Sequence, residues 1–177
     1  MGTRLSEHFD LSEFVCPCCR QANPDGRLVE RLEKLHDLMG AKAIIITSGY
    51  RCPDHSVAVG GYRNDAHTCN IAADIKVKKP DGSWYSSLDI AEAAERVGFS
   101  GIGTIDGTAC HVDIRDKYNY VNSHWFGSEQ NGNDSISTFQ RGTVFPSRTP
   151  AQVEIPVVEK KTIQLVINGE VVWEKEI

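Results

Sequence analysis

Two short stretches hold the side chains best suited to chemistry. His67-Thr-Cys-Asn-Ile-Ala-Ala-Asp74 carries an imidazole and a carboxylate, and Cys110-His111-Val-Asp113 brings a second imidazole 37 residues after Asp74. Two imidazoles and a carboxylate are neutral and anionic donors that suit a divalent metal of the zinc type. Three protein ligands leave a fourth position for water, the arrangement of a catalytic rather than a structural zinc. The spacing of Asp74 and His111 does not bring them together by itself, so the elements between them must.

Those elements are legible as periodicities. Asp10-Leu-Ser-Glu13 reads as a capping box opening a short helix that carries Phe14. Leu28, Leu32, Leu35 and Met39 recur at three and four, predicting a helix over 25–39 that Gly40 ends. Residues 43–47 predict a short, buried, β-branched strand. Residues 71–77 alternate, with Asp74 and Lys76 on one face and Ala73, Ile75 and Val77 on the other. After a turn at Pro80-Asp-Gly82, Ser86-Ser-Leu-Asp89 caps a helix with Ile90, Ala94 and Val97 on one side, closed by Gly98.

A hairpin follows. Residues 101–105 and 108–115 flank Asp106-Gly107, a two-residue turn signal. Its second strand places His111, Asp113 and Arg115 on one face and Cys110, Val112 and Ile114 on the other. Beyond Asp116 an Asn-, Ser- and Gly-rich stretch through Asp134 predicts a long loop, and Pro146, Pro150 and Pro156 mark a linker. Residues 162–173 predict a second hairpin, turned at Asn168-Gly169. The organisation expected is a domain over 1–120, an irregular loop and linker over 121–161, and a C-terminal hairpin over 162–177. That hairpin reads as an element for packing or self-association.

The 177 residues suit one well-buried domain with a small appendage. A net charge of −5 offers no electrostatic case for binding nucleic acid or an anionic membrane. No apolar run approaches the roughly 20 residues that span a bilayer. Met1-Gly-Thr-Arg-Leu-Ser-Glu-His8 lacks the apolar stretch of a secretory signal, so the expected location at synthesis is the cytoplasm. Work on a cell wall would then need release by a holin or another export route. Six cysteines in a chain this long do not make a disulfide scaffold. They read as reduced thiols, with a second, structural metal on Cys16, Cys18 and Cys19 as the other option. His8, His36, His55 and His124 read as surface or core histidines.

Four blocks carry a resemblance: Leu5-Ser-Glu-His-Phe-Asp-Leu-Ser-Glu-Phe14; Ile46-Thr-Ser-Gly-Tyr-Arg51-Cys-Pro53; Val59-Gly-Gly61 through Ala66-His67 with Ala72-Ala-Asp74; and Gly101-Ile-Gly103 followed by His111-Val-Asp113. In this order, over about residues 5–116, the chain resembles the zinc D-alanyl-D-alanine carboxypeptidases and related phage endolysins, a superfamily that includes the hedgehog signalling domain. The resemblance implies an α+β fold, with a small central antiparallel sheet and helices packed on one side. It implies Zn2+ held by His67, Asp74 and His111. It also implies an arginine, Arg51, that holds the substrate and polarises its carbonyl. The substrate implied is a peptidoglycan stem peptide or cross-bridge, cut by carboxypeptidase or endopeptidase action, and the sequence leaves the bond open.

Three positions depart from the pattern. Asp65 stands where serine is usual, and Asn70 replaces a glycine, the side chain that best tolerates a left-handed backbone. Thr108 replaces the glutamate of Glu-x-x-His, which leaves the general base unassigned. Asp113, on the His111 face, either activates the zinc water or orients an imidazole; Asp106, at the turn, is the less well placed carboxylate. The missing glutamate also keeps open a non-catalytic zinc-binding recognition module, and a phage structural component carrying the lytic domain is a third alternative.

Overall fold

The computed structural model describes residues 2–118, 124–129 and 136–147, together with the backbone of 162–167 and 170–176. The expected α+β architecture is present. Helices α1 (Gly26–Leu38), α2 (Pro53–Ala58) and α3 (Ser87–Arg96) accompany strands β1 (Ala43–Ser48), β2 (Ala72–Lys78), β3 (Gly101–Thr104), β4 (Ala109–Asp113) and β5 (Trp125–Ser128). The five strands form one sheet in the order β1-β2-β4-β3-β5. Every pairing is antiparallel except β3 with β5, which is parallel. Strands β6 (Thr162–Ile167) and β7 (Glu170–Glu176) pair antiparallel as a separate two-stranded sheet. The expected Asn168-Gly169 turn between them and the prolines at 150 and 156 lie outside the described residues.

Local chemistry starts and stops the helices where the sequence predicts. The Asp25 carboxylate accepts the Arg27 N–H (2.8 Å) ahead of α1, and Gly40 (φ 55°) ends it. Ser86 Oγ accepts the Asp89 N–H (3.1 Å) ahead of α3. Glu13 reaches back to the Asp10 N–H (2.8 Å), but the turn it caps, Leu11–Phe14, is a 3-10 turn. Leu28, Leu32 and Leu35 of α1 and Ile90, Ala91 and Ala94 of α3 are wholly buried with Ala73, Ile75 and Val77 of β2 and Cys110 and Val112 of β4. These are the apolar rows that the two periodicities pick out. Burying a residue of the Leu or Ile class contributes roughly 1.5–3 kcal/mol, so this seam is the main source of the fold's stability.

Three elements differ from expectation. β1 is not a buried strand: it pairs only with β2, Ile44 is its one buried residue, and Ile45 is 42% exposed. A strand at the sheet edge carries the same β-branched composition as a central one. α2, opened by Pro53 at its first turn, was not foreseen, and six residues are too few for a helical period to show. β5 arises inside the stretch that reads as a loop. Its four residues likewise carry no usable alternation, and parallel pairing with β3 leaves no hairpin turn to announce it.

Residues 136–147 return to α3. Phe139 and Phe145 enter the core, and Glu92, with no solvent exposure, is the anchor. Its carboxylate accepts the Thr143 N–H (2.9 Å) and hydroxyl (2.6 Å), and pairs with Arg96 (2.5 Å) and Arg141 (3.2 Å). Burial alone would raise this carboxyl, but the bonds from Thr143, Arg141 and Arg96 outweigh it and draw the pKa down from 4.5 to about 2. A depressed folded-state pKa means stability that is complete above 4.5 and lost as pH falls through about 2. Glu92→Gln should therefore cost about 1–3 kcal/mol at neutral pH, and the deficit should shrink as pH falls below 4.5. Thermal unfolding of both proteins across that window checks it; a deficit that stays constant with pH contradicts the assignment.

Candidate metal centre

Antiparallel pairing of β2 with β4 sets Asp74 directly across from His111, and Ala72 across from Asp113. The helix and hairpin between Asp74 and His111 return the chain so that the period-two faces of both strands coincide. On the other side of β4, Gly103 lies opposite His111 and Gly101 opposite Asp113. These two glycines are spatial requirements. A Cβ on Gly101 would sit 2.1 Å from the Asp113 carboxylate, and one on Gly103 would sit 2.7 Å from the Trp125 ring.

His67 comes from the turn before β2. Asn70 adopts the left-handed backbone (φ 60°) that its replacement of glycine requires, and its carbonyl and side chain take the N–H groups of Asp25 (3.0 Å) and Asn23 (2.9 Å). Asp65, the residue in place of serine, caps the same turn: its carboxylate accepts the Thr68 N–H (2.9 Å) and the Ser56 hydroxyl. Both departures thus preserve the turn that delivers His67.

The three donors converge. His67 Nε2 and His111 Nδ1 lie 3.2 Å apart, His111 Nδ1 is 3.0 Å from Asp74 Oδ1, and His67 Nε2 is 3.3 Å from the same oxygen. A tetrahedral zinc with bonds of roughly 2.0–2.1 Å needs ligand–ligand edges of about 3.3–3.4 Å. The observed triangle is close to one face of that tetrahedron. The remote ring nitrogens explain why the inner ones are donors. His67 Nδ1 faces the Gly49 carbonyl (2.7 Å), which only accepts, so this nitrogen carries the proton. His111 Nε2 faces Asp113 Oδ2 (3.1 Å), so in the neutral ring its proton lies there as well. Each neutral imidazole then aims a lone pair at the shared point.

The electrostatics ask for a cation at that point. Burial opposes charge on His111, but Asp113 and Asp74 at its two nitrogens outweigh burial and push its pKa up to about 10. Burial would raise Asp74 too, yet the hydrogen bonds from His111 and His67 hold it well below the usual carboxylate range. The residues fit a zinc ion in donor type, spacing and charge.

The remaining expected residues take distinct places. Arg51 donates to the outer oxygen of Asp74, Oδ2, and through Nε to Ser48 Oγ (2.8 Å). Asp113 is wholly buried behind His111, on the ring edge away from Asp74 and His67, and Arg115 binds it through Nε (3.0 Å) and a terminal nitrogen (2.6 Å). Burial notwithstanding, His111 and Arg115 hold its carboxyl well below the usual range. Of the two roles that the sequence leaves open for Asp113, this burial, away from the residues that line the cleft, favours orienting the imidazole over accepting a proton. Its geometry is that of the orienting role. Asp106 serves the hairpin, accepting the Thr108 and Ala109 N–H groups (2.6 and 2.7 Å), and pairs with Lys76. His8 pairs with Glu33 (2.6 Å) and stacks on His36, in keeping with structural histidines.

One residue was missed. Glu129, just past β5, places Oε1 3.9 Å from His111 Nδ1, the metal-facing nitrogen. It is 44% exposed and lines a cleft of about 500 Å³ with Arg51, Tyr62, His67, Arg115 and Trp125. Its N–H bonds the Thr104 carbonyl (2.8 Å), extending the β3–β5 pairing that positions it. No local motif marks it; only the unforeseen strand could have.

No curated protein matches the chain. The family model for Peptidase M15 matches residues 7–113, a span that takes in all three donors, Arg51 and Asp113 and stops before Glu129. With well over half of its length covered by that match and a zinc-type donor triad at its centre, the chain belongs to the M15 zinc peptidases, the superfamily of the D-Ala-D-Ala carboxypeptidases and related endolysins.

Proposed function

We propose that this zinc peptidase hydrolyses an amide bond in peptidoglycan stem peptides or cross-bridges, with His67, Asp74 and His111 as the zinc ligands. The observation that carries the reading is the convergence of those donors beside a carboxylate in an open cleft. The choice of peptidoglycan rests on the motifs shared with the carboxypeptidases and endolysins. The two arginines on the cleft wall, Arg51 and Arg115, suit the carboxylates that such peptides carry.

Zinc held by the triad would supply Lewis acidity, bringing the pKa of water to near 7 and polarising a carbonyl. Glu129 takes the role of the absent Glu-x-x-His glutamate: it accepts the proton of the attacking water and passes it to the leaving amine nitrogen. Arg51 orients Asp74 through Oδ2 and presents its guanidinium to the substrate carbonyl or carboxylate. Asp113 is a positioning residue that fixes the ring and tautomer of His111. The carboxylate of Glu129 at the metal-facing nitrogen is also what favours a hydrolase over a recognition module.

His67→Ala/His111→Ala should lose the bound zinc of the triad and all peptidoglycan cleavage, read by metal analysis and by mass spectrometry of released muropeptides; cleavage that persists sinks the assignment. Glu129→Gln should keep zinc and lower kcat by about 10²–10⁴ with KM little changed. An equal fall in the zinc content of that variant would make Glu129 a ligand instead. Asp113→Ala should weaken zinc by about 10–100-fold in a chelator competition, and Asp113→Asn should recover part of that loss.

A further inference from the structure

Away from the cleft, the fold gathers a second set of metal-type side chains. The sulfurs of Cys16, Cys19 and Cys52 all lie within 4.8 Å of one another. They come from two segments 33 residues apart, so the grouping is a product of the fold and not of sequence proximity alone. Cys16 is buried, Cys19 and Cys52 are half-buried, and all six cysteines are free thiols.

The local backbone is that of a metal-binding knuckle. Cys16-Pro17-Cys18-Cys19 folds back on itself: the Arg20 N–H bonds the Cys16 carbonyl (3.0 Å), and the Cys16 N–H bonds the Gln21 carbonyl (2.9 Å). Arg20 takes a left-handed conformation (φ 60°), a costly one for a residue with a long side chain. That turn brings Cys19 back beside Cys16. Cys52 precedes α2 without capping it by a side-chain bond, which leaves its sulfur for other use, and its N–H points at Cys16 Sγ (3.5 Å). The Cys52 N–H thus ties the second segment to the buried sulfur of the first. The exposed Cys18 thiol lies beside that of Cys52 but outside the group of three.

We propose that Cys16, Cys19 and Cys52 hold a second, structural zinc ion, with Cys18 as the sulfur available to complete four-coordination. Binding releases the thiol protons to solvent and needs no oxidant. Its consequence reaches the catalytic site, and this clause rests on the function proposed above: Cys52 follows Arg51, and the same loop contributes the Gly49 carbonyl that fixes His67. The loop already presses on the chain before the knuckle, where the Tyr50 N–H bonds the Phe14 carbonyl (2.9 Å) and a Cβ on Gly49 would lie 2.5 Å from Phe14 Cα. A metal across Cys16, Cys19 and Cys52 would lock that contact.

The test is metal stoichiometry in protein purified under reducing conditions. Two zinc ions per chain are expected for the wild type, one for His67→Ala/His111→Ala, and one for Cys19→Ser/Cys52→Ser. Replacing zinc by cobalt in the histidine variant should give thiolate-to-cobalt charge-transfer absorption. Should the cysteine variant fail to fold, alkylation of the wild type decides: at least three thiols should be protected until a chelator is added. A histidine variant that binds no metal, or six thiols equally reactive with and without chelator, overturns the proposal. So does protection that a reductant removes and a chelator does not. Metal retained by the histidine variant without thiolate absorption overturns it too, whereas failure of the catalytic reading would show separately, as peptidoglycan cleavage that persists in the histidine variant.

Discussion

The pairing of Asp74 with His111 across β2 and β4 is the constraint on which the rest of the site depends. Side chains of directly opposed residues in an antiparallel pair stand on the same face, about 5 Å apart at Cβ. A carboxylate and an imidazole fixed there can share one ion without any loop having to find them. A slip of one residue between β2 and β4 would turn the row containing His111 and Asp113 into the core and bring Cys110 and Val112 out. The buried seam with α1 and α3 opposes that slip with its full apolar area. Core packing therefore sets the metal geometry: the same register that buries Ile75 and Val112 aligns Asp74 and His111.

Charge compensation follows from that geometry. Each of the two carboxylates of the site is shared between an arginine and the His111 ring: Asp74 meets Arg51 through Oδ2 and His111 through Oδ1, and Asp113 meets both Arg115 and His111 through Oδ2. Leaving either carboxylate buried without its partner would cost several kcal/mol. An arginine is suited to this task because a planar guanidinium binds a carboxylate through more than one N–H and remains charged. Arg115 also lies over the Trp125 ring at 5.3 Å, which ties the buried Asp113 to the wall of the cleft. Space for this arrangement comes from subtraction: Gly101 and Gly103 remove the two Cβ atoms that would occupy the places of the Asp113 carboxylate and the Trp125 ring. The Gly-Ile-Gly segment is thus part of the site although it offers no donor.

What the sequence made legible follows the strength of its periodicities. β2, β4, α1 and α3 alternate or recur cleanly, and the Asp106-Gly107 turn joins β3 to β4, so the face bearing Asp74, His111 and Asp113 could be read directly. Depth could not. A period of two assigns Asp113 and His111 to the same face but does not say that one carboxylate lies wholly buried beyond the other's ring. β1 illustrates the same limit, since an Ile-rich run has the same composition at an edge as in the centre. Glu129 was illegible for a further reason. It is brought to His111 by four residues in parallel pairing, and no turn chemistry or hydrophobic period marks such a strand.

The role proposed for Glu129 would separate two tasks that a Glu-x-x-His motif would join. In that motif the glutamate and the second histidine share one strand, and the position of the proton acceptor is fixed by the backbone that fixes the ligand. Here the corresponding residue is Thr108, bound to the hairpin turn through Asp106, and the carboxylate that approaches the metal-facing nitrogen besides the ligand Asp74 is that of Glu129, just past a different strand. Ligand geometry is then set by the β2–β4 register, while the reach of Glu129 is set by β3 with β5 and by the Glu129–Thr104 backbone bond. β5 is an edge strand of four residues, held on one side only. Asp74 and His111 sit on strands paired on both sides, whereas the carboxylate of Glu129 follows an edge strand. The proton transfer proposed for Glu129 therefore depends on the β3–β5 pairing, while the alignment of Asp74 with His111 depends on β2 and β4.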